Sequence, residues 1–115
     1  NACDALKIEN TTNPSIHVEC RVEKISSKDQ TSHTTREILV SVTDNGPGVP
    51  KDLHEKIFRP NFTTKKKGHS FGLGLGLTIV RRIVDSYGGR IRLESVPGHT
   101  VFTIVIPTIN NHGKN

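Results

Sequence analysis

Two segments, Asp44-Asn45-Gly46-Pro47-Gly48 and Gly72-Leu73-Gly74-Leu75-Gly76, most limit how this chain folds, because each redirects the backbone at the end of an ordered element. Glu37 to Thr43 alternates apolar and polar residues, with Ile38, Val40 and Val42 directed inward. Residues two apart share a face of a strand, so Asp44 points the same way. A carboxylate at the inner end of a strand is costly unless something satisfies it. The Asn-Gly-Pro-Gly turn explains why the strand stops. It does not explain an inward Asp. In the second segment three glycines stand at alternate positions just before a helix, exposing N–H groups near its positive end, where phosphates bind well. A flexible entry to a buried helix accounts for the same glycines.

The remaining pattern supplies the frame. Asn1 to Lys7 reads as the end of a helix without its beginning, as in a fragment cut from a longer protein. Ser15 to Lys24 alternates, with Ile16, Val18, Cys20 and Val22 on one side of a half-buried strand. Ser26 to Arg36 is a polar loop across which this strand pairs with the next. Pro50, Leu53, Ile57 and Phe58 predict a short helix from near Lys51, and Arg59 to Ser70 a mobile loop. Leu73, Leu77, Val80, Val84 and Tyr87 recur at helical spacing, with Arg81, Arg82 and Asp85 facing water and Gly88-Gly89 ending the helix. Arg90 to Val96 and Thr100 to Ile106 form a last hairpin, turning at Pro97-Gly98-His99 and ending at Pro107. The fold expected is a two-layer α/β sandwich: a mainly antiparallel mixed sheet with helices on one face. One domain spans 1–107, and 108–115 is a polar tail.

Composition narrows the function. A chain of 115 residues holds one core. The net charge of +5 permits polyanion binding. With four Phe, one Tyr and no Trp there is little to stack on bases, so no nucleic-acid partner is expected. Cys3 and Cys20 lack metal-site spacing and read as reduced, buried thiols of a cytoplasmic protein. No apolar run approaches the roughly 20 residues of a membrane span, so this chain is expected to make no membrane contact. No Gly-Lys-Ser or Gly-Lys-Thr marks a Walker loop, and the glycine spacing is not that of a dinucleotide fold.

A buried carboxylate is an acceptor, and the exocyclic amine of adenine is a donor that satisfies it. Glycines beside it let a purine approach the backbone. Asp44–Gly48 and Gly72–Gly76 then form opposite sides of one ATP site. Asn1-Ala2, Asp44-Asn45-Gly46-Pro47-Gly48, Phe58-Arg59-Pro60-Asn61-Phe62-Thr63-Thr64-Lys65 and Gly72-Leu73-Gly74-Leu75-Gly76-Leu77 follow one another in order. They resemble the N box, first glycine box, F box and second glycine box of bacterial sensor histidine kinases. Gly98-His99-Thr100-Val101-Phe102 is similar to the family's closing Gly-x-Thr-x-Phe element.

The resemblance implies the Bergerat ATP-binding fold, shared with gyrase and Hsp90-type ATPases, with ATP and Mg²⁺ as cofactors. It implies that Asp44 accepts from the adenine amine, that Thr100 supports Asp44, and that Gly46 and Gly48 make room for the base. Asn1 would offer oxygen to Mg²⁺. Gly72, Gly74 and Gly76, with Leu75 and Leu77 between and after them, would line the phosphates. Lys65 would reach the phosphates from a lid anchored by Phe58 and Phe62. The implied partners are a separate dimerisation domain carrying the phosphoacceptor histidine, and a response regulator. Arg59-Pro60-Asn61-Phe62 departs from the usual Glu-Pro-Phe-Phe, and Asp4 resembles the nitrogen- and dicarboxylate-sensing branch. The parent protein would be cytoplasmic or anchored in the inner membrane. Another ATPase or protein-serine kinase of the same superfamily, or a non-catalytic interaction module, is the alternative.

Overall fold

The computed structural model describes residues 2–3, 6, 11–25, 35–60 and 76–108. Four strands form one sheet: β1 (Ile16–Ile25), β2 (Thr35–Asp44), β3 (Arg90–Val96) and β4 (His99–Thr108), in the order β1-β2-β4-β3. All three neighbouring pairs are antiparallel. The two hairpins expected from alternation are present, and β2–β4 joins them. No parallel pairing of the expected mixed sheet occurs among the described strands.

Helix α1 (Gly76–Ser86) packs over β3, β4 and a short 3-10 turn at Lys56–Phe58. A second 3-10 turn spans Lys51–Leu53. The short helix read from Lys51 onward is therefore two separate tight turns, a common outcome when too few residues are available to propagate an α-helix. α1 ends as the sequence indicates. Gly88 adopts φ +68°, its N–H bonds the Asp85 carbonyl at 2.9 Å, and the Gly89 N–H bonds the Val84 carbonyl at 2.9 Å. These are the paired bonds of a Schellman stop.

Register turns the sheet into transverse rows. Val18, Val42, Phe102 and Leu93 lie side by side, as do Cys20, Val40, Ile104 and Ile91. These rows share the α1 side with Asp44, as the alternation of β2 requires. Leu77, Val80 and Val84 of α1 are covered to differing degrees, Val84 fully. Tyr87, expected on the inner face, is exposed because it follows the last helical turn.

Three expectations about burial change. β1 is exposed along its whole length, not half-buried, because α1 lies over the β3–β4 half of the sheet and β1 is the edge strand at the other end. Cys20 is exposed with it, and so is Cys3; both thiols are free but neither is buried. Ile38, Val40 and Val42 are only partly covered, whereas Leu39 is buried and Val105 fully so. Leu39 and Val105 pair directly, and the register places Arg21 and Arg90 on either side of them. Arginine stems can shield such an apolar pair while their heads stay wet.

Arg90 also grips Glu37, with Nη1 donating to Oε1 at 2.9 Å and Nη2 to Oε2 at 3.1 Å. This hydrogen bonding is the main cause that holds the Glu37 carboxyl below its ordinary value of 4.5; burial opposes it, and the charges of Arg90 and Arg92 add to it. A carboxyl with a lowered folded value contributes stability above its unfolded value and loses it as pH falls through the folded one. In urea titrations between about pH 6 and pH 3, the parent protein should therefore lose more stability than Glu37→Gln. Equal losses would remove this pair from the acid response.

β4 runs through Pro107 to Thr108, past the expected end. β3 stops at the Arg90–Val105 pair, so at Pro107 the strand has only β2 beside it. A residue without an N–H is tolerated on such a locally free edge.

Candidate nucleotide site

Asp44 closes β2 at 5% exposure, and Thr100 beside it is 4% exposed. The two belong to one transverse row, Ile16–Asp44–Thr100–Ser95. Asp44 Oδ1 accepts the Gly46 N–H at 2.9 Å, which starts the turn after the strand. An ionised carboxylate has more acceptor sites than this one bond uses, so the buried acid keeps acceptor capacity for a donor outside the chain.

The loop after Asp44 is tied on both sides. Asn45 Oδ1 accepts the Ser15 N–H at 2.8 Å and its Nδ2 donates to the Asn13 carbonyl at 2.9 Å. The Gly98 N–H donates to the Gly46 carbonyl at 2.8 Å, linking the loop to the β3–β4 turn. Val49 N–H donates to Ser95 Oγ at 2.7 Å, and His54 Nε2 pairs with the Val49 carbonyl at 2.8 Å. Gly48 sits at φ +88°, and a Cβ there would lie 3.0 Å from the Val96 carbonyl group and 3.1 Å from Ser95 Oγ. Only glycine suits both that backbone angle and that approach.

From the loop the chain runs through the two 3-10 turns to Phe58. Its ring meets Phe102 edge-on, at 6.4 Å between centroids and 80° between planes. The Arg81 guanidinium stands 5.4 Å from the centre of the Phe58 ring. Thr78 Oγ1 donates to the Phe58 carbonyl at 3.0 Å, so the start of α1 is fastened to this segment. Phe58 is thereby a packing link between sheet and helix. Gly76 and Leu77 open α1 beside it, Gly76 exposed and Leu77 partly covered.

Asp44, Gly46, Gly48 and Thr100 are thus tied together at one end of the sheet, while Phe58 is fastened to the start of α1, which Gly76 and Leu77 open, and reaches β4 at Phe102, two residues beyond Thr100. Asn1, Phe62, Lys65, Gly72, Gly74 and Leu75 lie outside the described residues. Among the described residues no group of three His, Cys, Asp or Glu side chains is arranged to hold a metal ion. Ser95 is the member of the site that the motifs did not indicate. Its parity with Ile91 and Leu93 was the available signal, since that places it on the same face of β3.

Residues 1–110 match the family described as "Histidine kinase-, DNA gyrase B-, and HSP90-like ATPase". The chain belongs to this family. It is an ATP-binding domain with the α/β fold of histidine kinase catalytic domains. It is 44% identical over 70 residues to the sensory histidine kinase/phosphatase NtrB of Vibrio alginolyticus, covering 61% of this chain and 19% of that protein. Against the sensor histidine kinase ZraS of Salmonella typhimurium the identity is 42% over 95 residues, covering 82% of this chain and 19% of that protein. This chain therefore spans about a fifth of those relatives' length. Among solved structures, a nucleotide-free catalytic domain of the histidine kinase ThkA superposes with a TM-score of 0.61 at 33% identity, covering 91% of this chain and 58% of that one. The mycobacterial sensor histidine kinase MprB gives 0.55 at 28% identity, covering 78% and 55%. No helix among the described residues of this ATPase-family chain is long and apolar enough to cross a membrane.

Proposed function

We propose that this chain is the catalytic ATP-binding domain of a sensor histidine kinase, and that Asp44 recognises adenine. The observation that carries the reading is the buried pair Asp44–Thr100 at the end of β2, next to a glycine turn that brings the backbone close. A carboxylate held there by one backbone N–H can accept a second donor, and the adenine amine is one. Gly46 and Gly48 leave the base room against the loop.

In this reading Gly72, Gly74 and Gly76 direct N–H groups to the phosphates at the start of α1, with Leu75 and Leu77 fixing the turn. Lys65 adds charge from the lid, and Phe58 and Phe62 anchor the lid's base. Asn1 offers its amide oxygen to Mg²⁺ shared with the phosphates. Bound Mg-ATP supplies the phosphoryl group. The protein's own part is to orient it and to offset its charge. The acceptor is a histidine on a dimerisation domain of the same protein, which passes the group to a response regulator. This chain then acts in the cytoplasm, with no nucleic-acid partner and no membrane contact of its own.

Titration with a fluorescent ATP analogue, with and without Mg²⁺, tests the reading. Saturable binding strengthened by Mg²⁺ is expected; no binding would overturn it. A second result is expected from incubation with γ-labelled ATP: no acid-labile label stays on this chain, because the acceptor histidine belongs to another domain. Acid-labile label retained on any of its own histidines would sink that assignment.

A further inference from the structure

Ser95 lies in the same transverse row as Asp44 and Thr100, on the strand beyond Thr100. It is bonded in two directions. Its Oγ accepts the Val49 N–H at 2.7 Å and shares a 2.7 Å hydrogen bond with Thr100 Oγ1. A serine hydroxyl has one proton and two acceptor sites. If Thr100 gave the shared proton, the proton of Ser95 would need a third partner, and none stands among the described residues. If Ser95 gives it, both bonds are satisfied and the proton of Thr100 is released for another acceptor. The row places Asp44 on the other side of Thr100.

We propose that Ser95 is a positioning residue for adenine recognition: it directs the Thr100 hydroxyl toward the Asp44 end of the row while fixing the Val49 end of the glycine turn. The inference rests on the reading of Asp44 as the adenine acceptor and deepens it. Three donors then point one way along a chain, from Val49 N–H through Ser95 and Thr100 toward Asp44. Aligned hydrogen bonds polarise one another, so fixing the first strengthens the last. The close approach of Gly48 to Ser95 Oγ and to the Val96 carbonyl group keeps this chain of bonds and the loop in one rigid unit.

The test compares ATP with purine riboside triphosphate, which lacks the amino group, by titration calorimetry on the 115-residue chain. The parent protein should prefer ATP. Ser95→Ala and Ser95→Cys should each lose about tenfold of that preference, the worth of one hydrogen bond of about 1.4 kcal/mol. Ser95→Thr, which keeps the hydroxyl, should retain it. Combining Ser95→Ala with Thr100→Val should cost no more than Thr100→Val alone, because the two act as a unit. Equal weakening of both nucleotides, or additive losses, would show Ser95 to be only structural and overturn the proposal. Should Ser95→Ala fail to fold, the size-matched Ser95→Cys decides the same point. A parent protein indifferent to the amino group would overturn the Asp44 reading itself; a preference that both Ser95 variants keep would overturn only the role of Ser95.

Discussion

Asp44→Ala is expected to weaken ATP binding by roughly a hundredfold, with the chain still folded. A hydrogen bond to a charged acceptor contributes about 1.5–3 kcal/mol, and each 1.4 kcal/mol is about tenfold in affinity. The acid is buried and accepts the Gly46 N–H with one oxygen, and among the described residues this turn is its hydrogen-bonded role, so the loss should fall on nucleotide binding more than on stability. Asp44→Asn separates charge from shape. It keeps the size and one acceptor but adds donors that face the adenine amine, and should lose nearly as much. Calorimetric titration with ATP checks both, with unfolding curves to show the fold intact. Wild-type affinity in Asp44→Ala would mean that adenine sits elsewhere.

Gly89→Ala should destabilise the fold markedly. A Cβ at this position would run into the Val105 carbonyl oxygen, with Val84 Cγ1 at 3.0 Å and the Val84 carbonyl oxygen at 3.2 Å. Two of these three obstacles are backbone, one in a central strand and one in the last turn of α1. Neither can swing aside as a side chain end can. Overpacking of this kind costs about 1–3 kcal/mol, and each kcal/mol lowers the melting temperature of a domain this size by about 4–8 °C. Gly76→Ala is the control: a Cβ there meets nothing within 4 Å, and alanine is the better helix former. Thermal unfolding of both variants should separate them clearly; an unshifted Gly89→Ala curve would show that α1 can move off the sheet at little cost.

Alternation along Glu37 to Thr43 made the orientation of Asp44 readable, because parity on a strand is local and independent of what packs on it. The two hairpins were readable for the same reason. Helix α1 and its Gly88-Gly89 stop followed from spacing and backbone preference, which are also local. Burial was not. Whether Ile16, Val18 and Cys20 are covered depends on where α1 lies over the sheet, and that is set by contacts far apart in sequence. Leu39 falls outward by the same parity that placed Asp44, yet it is buried in a row that runs Arg21, Leu39, Val105, Arg90 across all four strands. Ser95 escaped notice although its parity was plain. A serine in a strand carries no motif, and only the register beside Thr100 and the return of Val49 give it a role. Of the candidate site residues, Asp44 was marked by strand parity and Gly46 and Gly48 by turn chemistry, all three with the resemblance beside them, whereas Thr100 was marked by the resemblance alone.

The sheet is two hairpins laid side by side, and β2–β4 is the seam between them. Asp44 belongs to the first hairpin and Thr100 to the second, directly across that seam. A nucleotide gripped by both would act as a removable cross-link, drawing the halves together at one end of the joint. At a ligand concentration of 100 times its dissociation constant, such linkage adds about 2.7 kcal/mol to stability. Amide hydrogen exchange should then slow most in the β2–β4 pairs and least along β1, which the seam does not include. The ATP-loaded state would differ from the empty one in how tightly its two halves are joined, which any partner touching both hairpins could sense.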